Sequence, residues 1–331
     1  MSKYLVTGGA GFIGSNLVDE LVKQGNSVRI LDNLSTGYKH NINPEAELVK
    51  GDLRNMAAVK KAVKGIDGVF HFAAARAVLR SVDNPIETDH INVGGTLNLL
   101  VAARDAGVKR LVFSSSSSVY GETKQPVLKE TDLPGPCSPY AASKIMGEYY
   151  CKIFTKLYGL ETVALRYFNV FGPRQNPESK YSAVIPIFIQ ALLNDKAPEM
   201  HWDGKQSRDF SYVDNVVVGN ILAMKTPKAS GEVINIACHE EYSILDMYTE
   251  LQRILGKEHI KPVMKPKRAG DVRRTFADIS KAKKILNFKV QTRFKEGLEK
   301  TVAWFLDSGL LDQKKSKKKS SGKSRRRTVL V

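Results

Sequence analysis

The sequence is poor in cysteine and has no long apolar run, and each absence excludes a class of protein. Its three cysteines, Cys137, Cys151 and Cys238, are widely spaced and odd in number, so neither a disulfide framework nor a structural zinc site is expected. No stretch of about 18 consecutive apolar residues occurs, which argues against a membrane span. The first residues lead into strand-like sequence without the layout of a signal peptide. We therefore expect a cytoplasmic protein without a metal cofactor.

Acidic residues are few beside basic ones. The chain of 331 residues carries 51 Lys and Arg against 34 Asp and Glu, a formal charge of +17. Residues 314–327 hold nine of the basic residues and no acid, and the other 42 exceed the acids by only eight. Residues 313–331 are therefore predicted to be a disordered basic tail. Contact with nucleic acid is expected to be at most non-specific and confined to that tail.

The first thirty residues predict a β-α-β unit that binds a dinucleotide. A strand over residues 3–6 is followed by glycines at positions 8, 11 and 14, then by an amphipathic helix over 15–24. Glycines there let a pyrophosphate approach the backbone at a helix N-terminus. The next strand ends at Asp32, whose carboxylate can accept hydrogen bonds from both ribose hydroxyls and repels a 2′-phosphate. The pattern favours NAD over NADP.

Strands continue to alternate with helices along the chain. Strand-like runs at 47–50, 68–72, 110–114 and 162–166 are separated by helical stretches at 55–63, 85–106 and 141–157. This alternation predicts an α/β fold with a Rossmann-type doubly wound parallel sheet. We expect a dinucleotide-binding domain over 1–173, with 206–237 packing back on it. A smaller α/β substrate-binding lobe is expected from 174–205 and 238–312.

Tyr140 and Lys144 form a candidate acid/base pair. Four residues apart, they lie on one face of one predicted helix. A nearby ammonium, together with a positively charged nicotinamide, is expected to lower the pKa of the phenol toward the working pH and make it a usable base. Alone the spacing is weak, but here it follows the glycine motif and the serine run Ser114–Ser118.

With these features the chain resembles the extended short-chain dehydrogenase/reductase family, and within it the nucleotide-sugar 4-epimerases. The resemblance runs from Val6 to about Phe305. Its carriers are Thr7-Gly8-Gly9-Ala10-Gly11-Phe12-Ile13-Gly14, Asp32-Asn33, Gly51-Asp52-Leu53, Ser115-Ser116-Ser117-Ser118-Val119-Tyr120-Gly121, Tyr140 with Lys144, Arg166-Tyr167-Phe168-Asn169, Arg208-Asp209-Phe210, and Arg268 with Gly270-Asp271-Val272.

The resemblance implies a role for each of these positions. Tyr140 would be the base, Lys144 would hold the nicotinamide ribose, and Ser116 would hydrogen-bond the sugar 4-hydroxyl. The residues implied at the NAD site are Gly8, Gly11, Phe12, Ile13, Gly14, Asp32, Asn33, Asp52, Leu53, Ala73, Asn92, Tyr140 and Lys144. The residues implied at a UDP-sugar site are Asn169 and Arg208 on the diphosphate and Arg268 with Asp271 on phosphate and uridine ribose.

One segment departs from the family pattern. Where relatives commonly carry an aromatic residue and a glycine before Asp-Gly, this chain has His201 and Trp202 before Asp203. Base stacking is therefore expected on His201, on Trp202 or elsewhere.

Three reactions compete on this scaffold, and all begin by oxidising the sugar at C4. A 4,6-dehydratase needs an acid/base pair, and its relatives place Asp-Glu before Val-Tyr-Gly; a uronate decarboxylase usually keeps a Glu there. This chain has Ser117-Ser118 instead. Without a carboxylate to take the C5 proton, the 4-keto sugar can only turn over and accept the hydride on its other face. A redox-neutral 4-epimerase is favoured, with a dehydratase or decarboxylase less so.

Two positions bear on the sugar. Thr275 matches the family position that walls the C2 substituent, where glucose/galactose enzymes often carry a bulky Tyr. Its small side chain leaves room for an N-acetyl group. Arg76 and Arg80 follow a strand end near the sugar site, where a cation would suit a uronate. UDP-glucose/galactose and their N-acetyl forms rank jointly first, and UDP-glucuronate third.

Other classes and the assembly state stay open at this point. A catalytically idle NAD- or nucleic-acid-binding scaffold would predict a damaged catalytic set, but Tyr140, Lys144 and Ser116 are all present. The predicted helices at 85–106 and 141–157 are apolar enough to pair across a two-fold axis, which predicts a homodimer. The apolar residues concerned on the second helix are Ile145, Met146, Tyr149, Tyr150, Ile153, Phe154 and Leu157.

Overall fold

The computed structural model describes residues 1–76, 78–176, 183–267 and 272–308. Its strands are β1 (Lys3–Thr7), β2 (Ser27–Asp32), β3 (Glu47–Lys50), β4 (Gly68–His71), β5 (Arg110–Ser116), β6 (Glu161–Tyr167), β7 (Val170–Phe171), β8 (Glu199–His201), β9 (Ser207–Arg208), β10 (Ser211–Tyr212), β11 (Val233–Ile236), β12 (Tyr242–Ser243), β13 (Val263–Lys265) and β14 (Arg274–Thr275). Its helices are α1 (Phe12–Lys23), α2 (Met56–Val63), α3 (Val78–Asp83), α4 (Pro85–Asp89), α5 (Gly95–Asp105), α6 (Pro139–Tyr158), α7 (Val184–Leu193), α8 (Val213–Lys225), α9 (Ile244–Leu255), α10 (Ser280–Leu286) and α11 (Phe294–Asp307).

Seven strands form one parallel sheet in the order β3-β2-β1-β4-β5-β6-β11. Strands such as β4 are buried along their whole length, as expected when helices cover both faces of a parallel sheet. The predicted Rossmann-type fold is confirmed. The strand order reverses between β1 and β4, and ligands of such sheets bind beyond the carboxyl ends of the strands at that point.

Two apolar layers hold the sheet. On one face, α1 and α8 contribute side chains such as Leu17, Leu21 and Val216 to a core that continues into the second lobe. On the other face, α2, α5 and α6 contribute Val59, Leu99 and Phe154, among others. The helices therefore bury their apolar faces on opposite sides of the sheet, and the polar loops at the strand ends are left to line a cleft.

The predicted helix at 85–106 is interrupted. The chain runs through α4, then a π-helical turn at His90–Gly94, then α5. The helix α3, which the sequence pattern did not reveal, precedes it. The wider turn inserts Asn92, which is 3% exposed, into the protein between the loop after β4 and α6.

The second lobe is small and built from short elements. Helices α7 and α9 pack together, β13 pairs with β8, and β9 lies between β12 and β14. The chain forms α7 of this lobe before it returns to the main sheet as β11. No helix in the described ranges is long and apolar enough to cross a membrane. The predicted basic tail at 313–331 lies outside the described residues.

Candidate active site

The glycine turn after β1 forms a backbone cradle. Gly8 has φ +72°, and a Cβ on it would lie 2.8 Å from the backbone N of Ala73. A Cβ on Gly14 would lie 2.3 Å from the carbonyl O of Gly8, so only glycine lets α1 approach the turn so closely. Helix α1 begins after Gly11 with no side chain capping its first N–H groups. Those donors are free to hold an anion such as a pyrophosphate.

Asp32 lines the cavity beside this cradle. Its side chain sits at the end of β2 and is 8% exposed. The N–H of Ala10 donates to Oδ2 at 3.0 Å and the N–H of Leu34 donates to Oδ1 at 2.8 Å. Because backbone donors fix both oxygens, the carboxylate is oriented before a ribose arrives.

Asp52, at the end of the next strand along, is held by its neighbours. Asn33 donates to it at 2.8 Å, and the Arg54 guanidinium donates to both of its oxygens at 2.9 and 2.8 Å. The hydrogen bond from Arg54 holds the pKa of this carboxyl far below its usual range. Asn33, Asp52 and Leu53 all line the cavity, so the rim expected from the sequence surrounds the adenosine side.

Tyr140, Lys144 and Ser116 meet above the carboxyl ends of β4 and β5. Helix α6 begins at Pro139, after Ser138 accepts a hydrogen bond from the Ala141 N–H, so Tyr140 stands in its first turn. Lys144 Nζ donates to the Ser114 carbonyl at 2.7 Å and lies 5.8 Å from the centroid of the Tyr140 ring. The Ser116 hydroxyl accepts from the N–H and the hydroxyl of Ser118 at 3.2 and 3.0 Å, and it acts to lower the pKa of Tyr140.

The electrostatics of this trio differ from the expectation. Burial raises the pKa of the Tyr140 hydroxyl, and the opposing effects come from Ser116 and Arg76. Of the protein's own charges, Arg76 rather than Lys144 lowers this pKa, and the ammonium of Lys144 is held at the Ser114 carbonyl. The lowering expected with a nicotinamide present stays a prediction. Burial lowers the pKa of Lys144 to about 8. Lys144 is therefore still mostly protonated at neutral pH and loses its proton just above it.

Asn92 acts behind the cavity wall. Its Oδ1 accepts from the N–H of Ala75 at 2.7 Å, and its Nδ2 donates to the Ser143 hydroxyl at 2.9 Å. The resemblance implied that Asn92 lies near the cofactor. In the structure its side chain does not line the cavity, and its hydrogen bonds join the loop after β4 to α6. Ala73, in that loop, does line the cavity, and its N–H donates to the hydroxyl of Thr7 at 3.2 Å.

The substrate-side residues gather where β9 and β14 meet the main domain. Thr275 lies opposite Arg208 in the β14–β9 pair. Asn169, with φ +35°, donates from Nδ2 to the Asp209 carbonyl at 3.2 Å and to the Thr275 hydroxyl at 3.1 Å. Arg208 donates to the Ser207 carbonyl at 2.7 Å. Asn169, Arg208 and Thr275 line one cavity with Tyr140, whereas Arg268 and Asp271 lie outside the described residues.

The two arginines after β4 have different surroundings. Arg76 is exposed in the cavity and acts electrostatically on Tyr140. Arg80 also lines the cavity but pairs with Glu87 at 3.4 Å. Only the Arg76 charge is thus directed to the reacting end of the site.

His201 and Gln206 give part of the cavity lining a polar surface. His201 lines it, whereas Trp202 does not belong to the described lining and is flanked by the cations of Lys267 and Arg273 at 4.4 and 4.8 Å. His201 Nδ1 lies 3.0 Å from the Pro266 carbonyl, which leaves Nε2 as an acceptor in the neutral ring. Gln206, which sequence reasoning missed, donates to the His201 carbonyl and keeps its Oε1 buried without a partner. The sequence signal that could have identified Gln206 is a polar residue immediately before a strand.

The glycine turn, Asp32, Tyr140, Lys144, Ser116 and Arg208 line one cavity of about 1070 Å³. Its acidic lining residues in the described ranges are Asp32, Asp52 and Glu199, so the segment Ser114–Ser118 beside Tyr140 brings no carboxylate. The described side chains contain no group of three or more His, Cys, Asp or Glu suited to a metal ion. The arrangement fits a dinucleotide on the glycine turn and a second polar ligand against Tyr140.

Comparison with known proteins agrees with this geometry. A model of the NAD dependent epimerase/dehydratase family matches residues 4–237. A UDP-glucose 4-epimerase of Mycolicibacterium smegmatis is 38% identical over 313 residues, covering 91% of this chain and 97% of that protein. A UDP-glucuronate 4-epimerase of Thermodesulfobacterium geofontis is 36% identical over 317 residues, covering 92% and 96%. The solved UDP-N-acetylglucosamine 4-epimerase of Methanobrevibacter ruminantium M1, in complex with UDP-N-acetylmuramic acid, is 42% identical, with a TM-score of 0.88 over 93% of this chain and 99% of that one.

Proposed function

The chain belongs to the NAD dependent epimerase/dehydratase family, and we propose that it inverts the C4 configuration of a UDP-hexose, as UDP-glucose/UDP-galactose or UDP-GlcNAc/UDP-GalNAc. It is an enzyme that uses NAD. The observation that carries the proposal is the single cavity in which the Tyr140, Ser116 and Lys144 side chains face a glycine turn and Asp32. Comparison with UDP-sugar 4-epimerases at 36 to 42% identity supports it.

The residues divide the work by position. The uncapped N-terminus of α1 would receive the pyrophosphate of NAD, Asp32 would receive a ribose, and Lys144 would hold the nicotinamide ribose. NAD supplies the acceptor that takes the hydride from C4 and gives it back. Tyr140 would remove the proton of the C4 hydroxyl while Ser116 hydrogen-bonds that oxygen, and the same phenol would return the proton after the sugar has turned.

Epimerisation is favoured over the related eliminations by what lies beside Tyr140. Loss of water across C5 and C6 needs a base for the C5 proton. Ser117 and Ser118 occupy the segment concerned, and the acidic lining residues of the described cavity are elsewhere, at Asp32, Asp52 and Glu199. Among the described residues no carboxylate lies beside Tyr140 to take the C5 proton, so the 4-keto sugar is expected to be reduced again, and reduction on its other face gives the C4 epimer. A decarboxylase or a 4,6-dehydratase is the less favoured alternative.

The nucleotide end suits a uracil base. Gln206 Oε1 and His201 Nε2 are buried acceptors without partners, and uracil carries an N3–H donor. Arg208 in the same cavity suits a diphosphate, because its fork matches phosphate oxygens. The small Thr275 keeps both hexoses and N-acetylhexosamines in the proposal, and Arg76 keeps UDP-glucuronate as the alternative substrate.

We also propose that the protein is a homodimer. The structure buries Ile145 and Phe154 of the predicted helix face. The remaining apolar side chains on its outer face include Met146, Tyr149, Ile153 and Leu157, which are 41 to 66% exposed. Helices α3 and α4, which contact α6, add exposed Leu79, Val82 and Ile86. A continuous apolar face on neighbouring helices favours pairing with its own copy across a two-fold axis.

The test is to incubate the protein with NAD and each of five UDP-sugars, then to separate the products by chromatography and measure their molecular masses by mass spectrometry. The sugars are UDP-glucose, UDP-galactose, UDP-GlcNAc, UDP-GalNAc and UDP-glucuronate. We expect a product of unchanged mass that co-elutes with the C4 epimer. Loss of water would identify a dehydratase, loss of carbon dioxide a decarboxylase, and no product from any sugar would overturn the proposal.

A further inference from the structure

A buried ion pair lies directly behind the proposed catalytic residues. Glu148 follows Lys144 by one turn of α6, and Arg166 comes from β6; their side chains are each 4% exposed. Arg166 Nε and Nη2 donate to the two oxygens of Glu148 at 2.9 and 2.8 Å. Burying a bidentate ion pair carries a large desolvation free energy, so a specific role for this pair is expected.

The carboxylate of Glu148 also reaches the strand that carries Ser116. The hydroxyl of Ser115 donates to Glu148 Oε1 at 2.5 Å. Ser115 immediately precedes Ser116 at the end of β5. One side chain of α6 is thereby bound to the ends of two adjacent strands, and the distance between Tyr140 on the helix and Ser116 on the strand depends on it.

Glu148 also acts electrostatically on Lys144, from one turn further along α6. Burial lowers the pKa of Lys144 to about 8, and Glu148 acts against that fall. The other titratable groups near the ammonium are Cys151 and Tyr140 on the same helix, whose pKa values burial raises, and His71 on β4, whose pKa burial lowers to about 3. All three are therefore uncharged at neutral pH. From β5 come the Ser114 carbonyl and the ring of Phe113, 5.0 Å away.

We propose that Glu148 is a positioning residue of the reaction, which keeps Lys144 protonated at neutral pH and fixes Ser116 against Tyr140. Arg166 orients Glu148 by its two hydrogen bonds. The guanidinium of Arg166 lies over the ring of Tyr120, with Cζ 4.6 Å from the ring centroid. The inference rests on the proposed function, since it assumes that a charged Lys144 is needed for turnover.

The distinguishing consequence is a change in the pH profile. Glu148→Gln keeps the shape of the side chain and removes its charge. Lys144 then loses its supporting carboxylate and gains an unbalanced Arg166, so it gives up its proton at lower pH. We expect the alkaline limb of kcat to move to lower pH, with kcat at pH 8 about fivefold or more below wild type and a much smaller loss at pH 6. KM for the UDP-sugar should change little.

Glu161→Gln is the matched control. Glu161 lies on the same strand as Arg166 and pairs with another buried arginine, Arg110, at 2.6 Å. Arg110 keeps carbonyl partners at Ala223, Met224 and Thr226, so it remains satisfied. This variant loses the same charge and an ion pair but is not in contact with Lys144, and its alkaline limb should coincide with that of wild type.

A second variant covers the case in which Glu148→Gln does not fold. The double variant Glu148→Gln with Arg166→Met removes both charges and leaves no unpaired cation. Its alkaline limb should still lie below that of wild type, because Glu148 no longer supports Lys144. If the alkaline limb of the pH–kcat profile of either variant lies at the same pH as that of wild type, the proposal is overturned. Wild-type turnover of any UDP-sugar tests the function separately, so a failure of one is not mistaken for a failure of the other.

Discussion

Arg76 supplies the positive charge that acts on the Tyr140 hydroxyl, while Lys144, one turn away on the same helix, is turned to the Ser114 carbonyl. Burial raises the pKa of Tyr140, and the Ser116 hydrogen bond and Arg76 oppose the rise. The proposed base is therefore acted on from the loop after β4, which lines the same cavity. This relationship gives Arg76 a role that does not depend on whether the sugar is a uronate.

Replacing Arg76 by Met should move the acid limb of the pH–kcat profile to higher pH. The base works as the phenolate, Arg76 lowers the pKa of that phenol, and its removal leaves the rise caused by burial less opposed. Arg80→Met is the control, because Arg80 pairs with Glu87 and does not act on Tyr140. Superimposable acid limbs for Arg76→Met and wild type would count against this assignment.

Tyr140→Phe should lower kcat by at least about 10²-fold, the usual scale for losing a positioned acid/base group. NAD and UDP-sugar affinities, measured by calorimetry, should stay near wild type because the ring and its packing remain. Tyr158→Phe, on the exposed end of the same helix, is the control and should retain full activity. Near-normal turnover by Tyr140→Phe would remove Tyr140 from the role of base.

Asp32→Ala should weaken NAD binding and narrow the preference over NADP. The substitution removes an acceptor for the ribose hydroxyls and the charge that repels a 2′-phosphate. The measurement is the ratio of dissociation constants for NAD and NADP. Asp52→Asn, one strand away, should change that ratio far less, and a wild-type protein that prefers NADP would contradict the prediction.

Thr275→Tyr should penalise N-acetylated sugars selectively, by filling the space beside C2. The readout is the ratio of kcat/KM for UDP-GlcNAc and UDP-glucose. Because Thr275 also accepts a hydrogen bond from Asn169, Thr275→Val is needed as a control that loses this bond without adding volume. An unchanged ratio, or an equal loss on both sugars, would show that Thr275 is not the wall of that pocket, and UDP-glucuronate would then be tested first.

Ile153→Glu should dissociate the proposed homodimer, because it places a charge within the apolar face of α6, where Ile153 is 44% exposed. Sedimentation velocity at several concentrations measures the effect. Leu306→Glu, on an exposed position of α11, is the matched control and should leave the assembly state unchanged. A wild-type protein that sediments as a monomer throughout would refute the dimer.

The sequence by itself determined the features that depend on local spacing. The β-α-β unit with its glycine turn, Asp32 at a strand end, and Tyr140 one helical turn before Lys144 all follow from residues close together in the chain. Backbone sterics and side-chain periodicity act over a few residues, and alternating strands and helices leave little choice but a parallel sheet. The Rossmann-type fold and the members of the cavity rim around the cofactor site were predictable for that reason.

Only the tertiary structure decided which of these side chains act on one another. Asn92 was expected beside the cofactor, but in the π-helical turn its side-chain amide hydrogen-bonds Ala75 and Ser143. Glu148 meets Arg166 and Ser115, residues 18 and 33 positions away in the chain. Burial raises the pKa of Tyr140, and Ser116 and Arg76, both distant from it in the chain, oppose the rise. Electrostatic effects and desolvation depend on distance and burial in space, and neither quantity is contained in the spacing of residues along a chain.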